Sequence, residues 1–355
     1  MRGERVRNLR RERSTILAWV AKSSTPDRRF LCETSLHPSR RAAKDSAFTQ
    51  RLAPSLHYSD SPSLQFSTMV ANILQILILG LVQGAAELLP VSSSAHVIVV
   101  EKLMGLDASS PEMTFLLVML HTGTMFAVIV YFWNAWRISY FSSAAVFWKT
   151  FKHVVVATVL TAIVGLTLQV LIEKVLLKGS QSTDVESLFS QLPLIGAALL
   201  AAGLLIIVAG LREPSRLEAK NVSTMSALWI GAVQGLCLPF RGFSRSGATI
   251  STGLLLGVGK RRMEAFSFAL AVVITPPVIA REFWCLIKAH PEVSKADHLV
   301  PLALPGIIGM VASFVAGLLA LRLLSQWLET GRWKWFGVYC IVFAIFVFAL
   351  AAFHF

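Results

Sequence analysis

From residue 70 onward the chain is a succession of apolar runs with short polar breaks between them. Met113–Trp133, Val154–Val175, Pro193–Leu211, Pro301–Leu324 and Trp335–Phe355 are each uninterrupted by charge clusters. Each is close to the ~20 residues that a helix needs to cross the hydrocarbon layer of a bilayer. A weaker run, 264–280, is broken by Pro276-Pro277. Two further apolar regions are too interrupted to cross cleanly: 70–106, cut at Pro90, and 226–258, cut at Pro239 and Gly242. The pattern predicts an all-α polytopic membrane protein.

The two broken regions repeat one another. Gly80-Leu-Val-Gln-Gly84 recurs as Gly231-Ala-Val-Gln-Gly235, an offset of 151 residues. Each copy is followed by a proline and then by a serine-rich turn, Val91-Ser-Ser-Ser-Ala-His96 in the first and Phe243-Ser-Arg-Ser-Gly-Ala-Thr249 in the second. Broken apolar segments in corresponding halves mark a site at the interface of an inverted-topology repeat. The expected architecture is such a repeat with two re-entrant, broken helical hairpins.

Composition supports this and removes alternatives. Of 355 residues, 55% are hydrophobic and only 15% charged, against about 25% charged in an ordinary soluble domain. The net charge of +13 is concentrated in residues 1–68, which carry +7 of it. No basic groove with interleaved aromatics accompanies it, so a nucleic-acid partner is not expected. Residues 1–68 read as a polar basic extension: a disordered cytosolic tail, an organelle transit peptide or an over-long start. The last is favoured because Met69 directly precedes the first apolar segment, giving a transmembrane domain over 69–355. The connection 134–153 carries Arg137, Lys149 and Lys152 with no acid, and 212–222 carries Arg212, Arg216 and Lys220 against Glu213 and Glu218. Two spans separate these basic connections, so both are expected on the cytoplasmic side. The four cysteines form no C-x-x-C pair and no His/Cys metal spacing is present.

Chemistry gathers at the two breaks. Glu87 is an ionisable group within an apolar segment, one helical turn after Gln83, and such a group is costly unless paired or facing a wet cavity. Ser92, Ser93 and Ser94 follow Pro90, where a helix stops and another is capped, which creates an anion-binding helix N-terminus. Arg245, flanked by Ser244 and Ser246, brings a fork of donors suited to phosphate oxygens; its alternative is an internal salt bridge to Glu87. His96, three and four residues after Ser93 and Ser92, could share their face as a proton carrier. Arg241 reads as a rim cation, Thr249 as a further hydroxyl, and His121 as structural.

These residues resemble a known family. Gln83-Gly-Ala-Ala-Glu87-Leu-Leu-Pro90-Val-Ser-Ser-Ser-Ala-His96 resembles the first signature of the bacterial undecaprenyl-diphosphatases, the bacitracin-resistance family, and Arg241-Gly-Phe-Ser-Arg-Ser-Gly-Ala-Thr249 resembles their second, P-G-x-S-R-S-x-x-T. The likeness covers about residues 69–355. Gln83 is allowed by the family, Ala95 replaces a usual glycine, and Arg241 stands where the family usually has proline.

The resemblance implies an integral membrane phosphatase of the bacterial cytoplasmic (inner) membrane. Its site would face the periplasmic, outer side and split undecaprenyl diphosphate, a long-chain prenyl diphosphate lipid, into undecaprenyl phosphate and inorganic phosphate. A divalent cation, Mg2+ or Ca2+, would assist, with Glu87 its candidate ligand. On this expectation Glu87, Ser93, His96 and Arg245 are catalytic. Ser93 is the nucleophile, with Ser92 or an activated water as alternatives. Gln83, Ser92, Ser94, Arg241, Ser244, Ser246 and Thr249 would bind substrate. A transporter or flippase of polyprenyl phosphate lipids is the competing reading, and a homo-oligomer is open to such a chain.

Overall fold

The computed structural model describes residues 62–106, 110–176, 191–212, 220–289 and 296–353. The expected N-terminal extension lies almost wholly outside them. Ten helices fill the described residues: α1 Pro62–Leu88, α2 Ser93–Leu103, α3 Pro111–Ser139, α4 Ala144–Leu176, α5 Leu192–Leu211, α6 Thr224–Cys237, α7 Arg245–Leu255, α8 Lys260–Ala289, α9 Ala296–Glu329 and α10 Trp333–Ala352. Six of them, α3, α4, α5, α8, α9 and α10, are long and apolar enough to cross a membrane. In hydrocarbon a chain must satisfy its own backbone hydrogen bonds, and the helix does so within one segment. The protein is therefore an all-α, polytopic membrane protein.

Four of the five strongest apolar runs lie within one long helix each, and the fifth, Trp335–Phe355, follows α10 as far as Ala352. The sixth region is a correction: Pro276 and Pro277 do not end α8, which runs through both to Ala289. A proline removes one ladder hydrogen bond and kinks a helix in water. Within a bilayer, unwinding would expose more backbone than the prolines cost, so the helix persists. The two interrupted regions do break, into α1–α2 around Pro90 and α6–α7 around Pro239 and Gly242.

The repeat is visible in how the helices pack. Helix α1 lies along α9, and α6 lies along α4; α5 packs on α10 and α3 on α8. Each broken hairpin thus rests on a long helix from the other side of the molecule's pseudo-symmetry. The repeated glycines explain these pairs. A Cβ at Gly84 would fall 2.7 Å from the Cβ of Ala316 on α9, and one at Gly235 would fall 2.7 Å from the Cβ of Val164 on α4. Ala316 and Val164 are themselves 152 residues apart, so the helices that receive the hairpins are related by nearly the same offset as the hairpins. Small residues at such crossings let backbones approach where there is no hydrophobic drive between helices.

Polar ties complete the bundle. Backbone N–H of Lys220, just before α6, donates to Gly257 O at 2.9 Å, and that of Gly259, just after α7, donates to Lys220 O at 3.1 Å. The two ends of the α6–α7 hairpin are therefore side by side. Tyr131 on α3 donates to Ser325 on α9 at 2.9 Å, and Ser325 donates to the buried Glu264 on α8.

Replacing Gly84 by leucine is expected to destabilise the α1–α9 crossing by at least the ~1–3 kcal/mol typical of overpacking. Thermal unfolding of the purified protein in detergent measures it; an unchanged midpoint would show that the crossing tolerates a side chain there.

Candidate active site

Helix α1 stops because Pro90 cannot continue it. The chain then turns sharply, with Val91 N–H donating to Leu89 O at 2.8 Å. Ser92 follows with φ +69°, the one non-glycine residue in the left-handed region among those described. Such a conformation costs a side-chain-bearing residue about 1–2 kcal/mol, and it aims α2 back alongside α1. Ser92 stands at the N-cap of α2 yet makes no capping hydrogen bond with its side chain; its hydroxyl lies 3.3 Å from that of Ser94 instead. The first-turn amides of α2 are thus left without a capping side chain. In the second half Ser244 does cap, accepting from Gly247 N at 3.2 Å.

The two breaks meet at Glu87. Arg245, the first residue of α7, donates from Nη2 to Glu87 Oε1 at 2.7 Å. Ser93, the first residue of α2, donates to Glu87 Oε2 at 2.5 Å. Gln83, one turn earlier on α1, points Nε2 at the same Oε2, 3.4 Å away. One carboxylate therefore joins a serine hydroxyl from the first repeat to a guanidinium from the second. Glu87 and Arg245 keep 17% and 23% of their side-chain surface exposed, so the pair is shielded but reachable. It opens on a small cleft whose walls include Leu88, Thr124, Met125, Val272 and Thr275.

Other expected site residues lie around this cluster in distinct roles. Ser94 accepts from Gly242 N at 3.3 Å and so docks the second turn on α2. Ser246 donates to Leu89 O at 3.2 Å, tying α7 to the first turn. Thr249 is fully buried, its hydroxyl 2.6 Å from that of Ser267 on α8. Arg241 is half-buried in the turn before α7.

His96 points away from Ser93. Its Nδ1 is 2.7 Å from Ser92 O, so that nitrogen donates; Nε2 then accepts from Tyr339 OH at 2.8 Å in the neutral ring. The ring stacks on Phe343 with centroids 4.0 Å apart. Helical spacing put His96 near the serines, but an aromatic slot on α10 holds its ring.

Sequence reasoning did not single out Thr124 and Thr275 as cleft walls, and it read His121 as structural. His121 donates from Nδ1 to Leu117 O at 2.8 Å. The signal for this wall was the polar run His121-Thr-Gly-Thr124 inside an otherwise apolar span. Among the described residues no group of three or more His, Cys, Asp or Glu could hold a metal ion.

Comparison with known proteins converges with this geometry. Residues 76–346 match the family model described as bacitracin resistance protein BacA. The chain is 55% identical over 286 residues to undecaprenyl-diphosphatase 2 of Acinetobacter baylyi, an alignment covering 79% of this chain and 98% of that protein. It is 32% identical over 286 residues to the undecaprenyl-diphosphatase of Desulfosudis oleivorans, covering 76% of this chain and 95% of the relative. The undecaprenyl-diphosphatase of Bacteroides fragilis is 30% identical over 283 residues, with 76% and 95% covered. With its two turns meeting at one carboxylate and residues 76–346 matched, the chain belongs to the BacA bacitracin-resistance family.

Proposed function

We infer that this protein is an undecaprenyl-diphosphatase. It hydrolyses undecaprenyl diphosphate to undecaprenyl phosphate and inorganic phosphate, which recycles the lipid carrier of cell-wall synthesis and underlies bacitracin resistance. The observation that carries the reading is the shared carboxylate: Ser93 and Arg245 bind opposite oxygens of Glu87.

That arrangement supports a division of labour. Glu87 accepts the Ser93 proton, leaving Oγ to attack the terminal phosphorus of the headgroup. The bond to the bridging oxygen breaks, Glu87 passes its proton to that oxygen as undecaprenyl phosphate leaves, and the phosphoryl group stays on Ser93. Water then attacks the phosphoserine and gives a proton to Glu87, which returns it to Ser93 Oγ as inorganic phosphate departs. Arg245 offers its fork to the phosphoryl oxygens as negative charge redistributes in each transition state. The first-turn amides of α2 favour the same anion through the helix dipole. An arriving diphosphate competes with Glu87 for Arg245, and the freed carboxylate becomes the base that Ser93 requires. His96, held by Ser92 O and Tyr339 OH, acts as a brace between α2 and α10.

A divalent cation fits the donor set. The Glu87 carboxylate and Ser93 hydroxyl offer hard oxygens, and Mg2+ binds through one or two carboxylates together with substrate phosphates. Glu87 would hold the ion, which would neutralise phosphate charge when bound.

The site belongs in the inner membrane, reached from the periplasmic side. Three long helices, α3, α4 and α5, separate the two hairpins. If each hairpin returns to its own side, as the Lys220 pairing with Gly257 and Gly259 supports for α6–α7, an odd number of crossings makes the hairpins enter from opposite faces. The basic connection at 134–153 favours a cytoplasmic end for α3 and thereby an outer-side entry for α1–α2. A headgroup carrier would need the anion cradle but no base beside a serine, so the Ser93–Glu87 contact favours hydrolysis over transport.

Glu87→Ala, Ser93→Ala and Arg245→Ala should each lower phosphate release from a long-chain prenyl diphosphate by at least ~100-fold, the scale of a lost nucleophile or oxyanion partner. Turnover near wild type in any of them would remove that residue from the chemistry. Chelation should abolish release, and added Mg2+ or Ca2+ should restore it; full activity in chelator would count against the cation.

A further inference from the structure

Helices α3 and α8 are joined at two levels, and the cleft lies between them. At one level the Trp136 indole N–H donates to Ala265 O at 3.0 Å, and the Phe132 and Phe268 rings stack with centroids 5.1 Å apart. At the other the Phe115 and Phe283 rings lie 6.5 Å apart. Between them the cleft takes Thr124, Met125 and Val128 from α3 and Ala271, Val272 and Thr275 from α8. Each set is spaced i, i+1, i+4 and so occupies one helix face. Glu87 and Arg245 complete the lining.

Exposure rises across this gap. Val128 and Ala271 are buried, Met125 and Val272 are half-buried, and their neighbours Phe126 and Val273 are 47% and 46% exposed. In a bilayer those outer faces meet lipid, so the gap leads from acyl chains to the Glu87–Arg245 pair. Pro276 and Pro277 stand at the same level of α8, directly after Thr275, and both are exposed. Neither has an N–H for the carbonyl four residues back, on Val272 or Val273, and each ring crowds that carbonyl. Relief of the crowding bends a helix away from the side that carries the ring. With the rings facing lipid, such a bend carries the middle of α8 outward and its ends inward. That sense matches contact with α3 at two levels and a gap between them.

We propose that the gap between α3 and α8, held open by Pro276-Pro277, is the lateral doorway for the lipid substrate and seats the isoprene units next to its diphosphate. The proposal rests on the hydrolase reading and deepens it by naming the path of the prenyl chain. A prenyl diphosphate carries its charge at one end of a long apolar chain. Drawing that chain through water costs free energy in proportion to its length, so sideways entry brings the headgroup to Arg245 at least cost. Met125 and Val272 flank the chain near its headgroup, and the remainder stays in hydrocarbon. The doorway sets preference for a lipid-borne diphosphate over a soluble one and takes no part in bond cleavage.

The test uses the full chain in lipid nanodiscs, with Val272→Trp and with Pro276→Ala combined with Pro277→Ala. Phosphate release is followed from a long-chain prenyl diphosphate and from a one-isoprene diphosphate, which reaches the site from water. Val272→Trp should raise KM for the long chain roughly tenfold, the scale of overpacking, and change KM for the short substrate by less than about twofold, with kcat nearly kept. The proline replacements restore both donors and let α8 straighten, so they should move the long-chain KM the same way by about threefold. Equal changes for the two substrates, or an unchanged long-chain KM in either variant, would overturn the proposal. A second measurement needs neither a variant nor turnover. A long-chain prenyl diphosphate with a diazirine on the isoprene next to the diphosphate is photolysed with wild type, and labelled residues are mapped by mass spectrometry. Labels on Met125, Phe126, Val272 or Val273 support the doorway. Labels confined to other helices, or no saturable label on α3 and α8, overturn it. If wild type releases no phosphate, it is the hydrolase reading that fails, and the labelling still decides the doorway.

Discussion

The 2.7 Å contact between Glu87 and Arg245 is the constraint around which the rest of the molecule is arranged. Each partner is an expensive residue in a chain that is otherwise apolar at that depth. Each comes from a different repeat and from the tip of a broken helix. Neither break can stand alone: a carboxylate in one half-helix or a guanidinium in the other would leave an uncompensated charge, which typically costs ~3–5 kcal/mol when buried. The hairpins must therefore meet tip to tip, and the long helices must be placed to let them. Pairing also leaves the two opposite charges balanced within one contact.

The two repeats share packing but not chemistry. Gly80 and Gly84 seat α1 on α9, and Gly231 and Gly235 seat α6 on α4, by the same close approach. The glutamine within each motif then diverges. Gln83 points its amide at Glu87, whereas Gln234 is buried and donates to Thr161 on α4 at 3.1 Å. The position matching Glu87 at the repeat offset is Leu238. The serine turns diverge as well: Ser244 caps its helix, while Ser92 takes a left-handed conformation and leaves α2 uncapped. A duplicated scaffold thus brings two helix N-termini together, and local substitutions make one the donor of serine and carboxylate and the other the donor of arginine. The Gly-x-x-Gln-Gly repeat is a mark of packing; the residues just after it form the Ser93–Glu87–Arg245 cluster.

Much was legible in the chain itself. Apolar length set the long helices, Pro90 and Pro239 set the breaks, and the doubled turn chemistry set the two halves of the site, because each of these is a local property of sequence in a bilayer. The rule that prolines end helices failed at Pro276-Pro277, where hydrocarbon penalises unwinding more than it penalises a missing hydrogen bond. The facing of side chains was decided only by tertiary packing. His96 has the right helical spacing from Ser93, yet Tyr339 and Phe343, over 240 residues on, take its ring. Thr249 matches a signature, yet Ser267 takes its hydroxyl. The walls from α3 and α8 gave little local signal because a cleft exists only where separate helices converge. Sequence determined which residues carry charge and where the helices break; the meeting of the two breaks, a long-range event, decided which of those residues share one carboxylate.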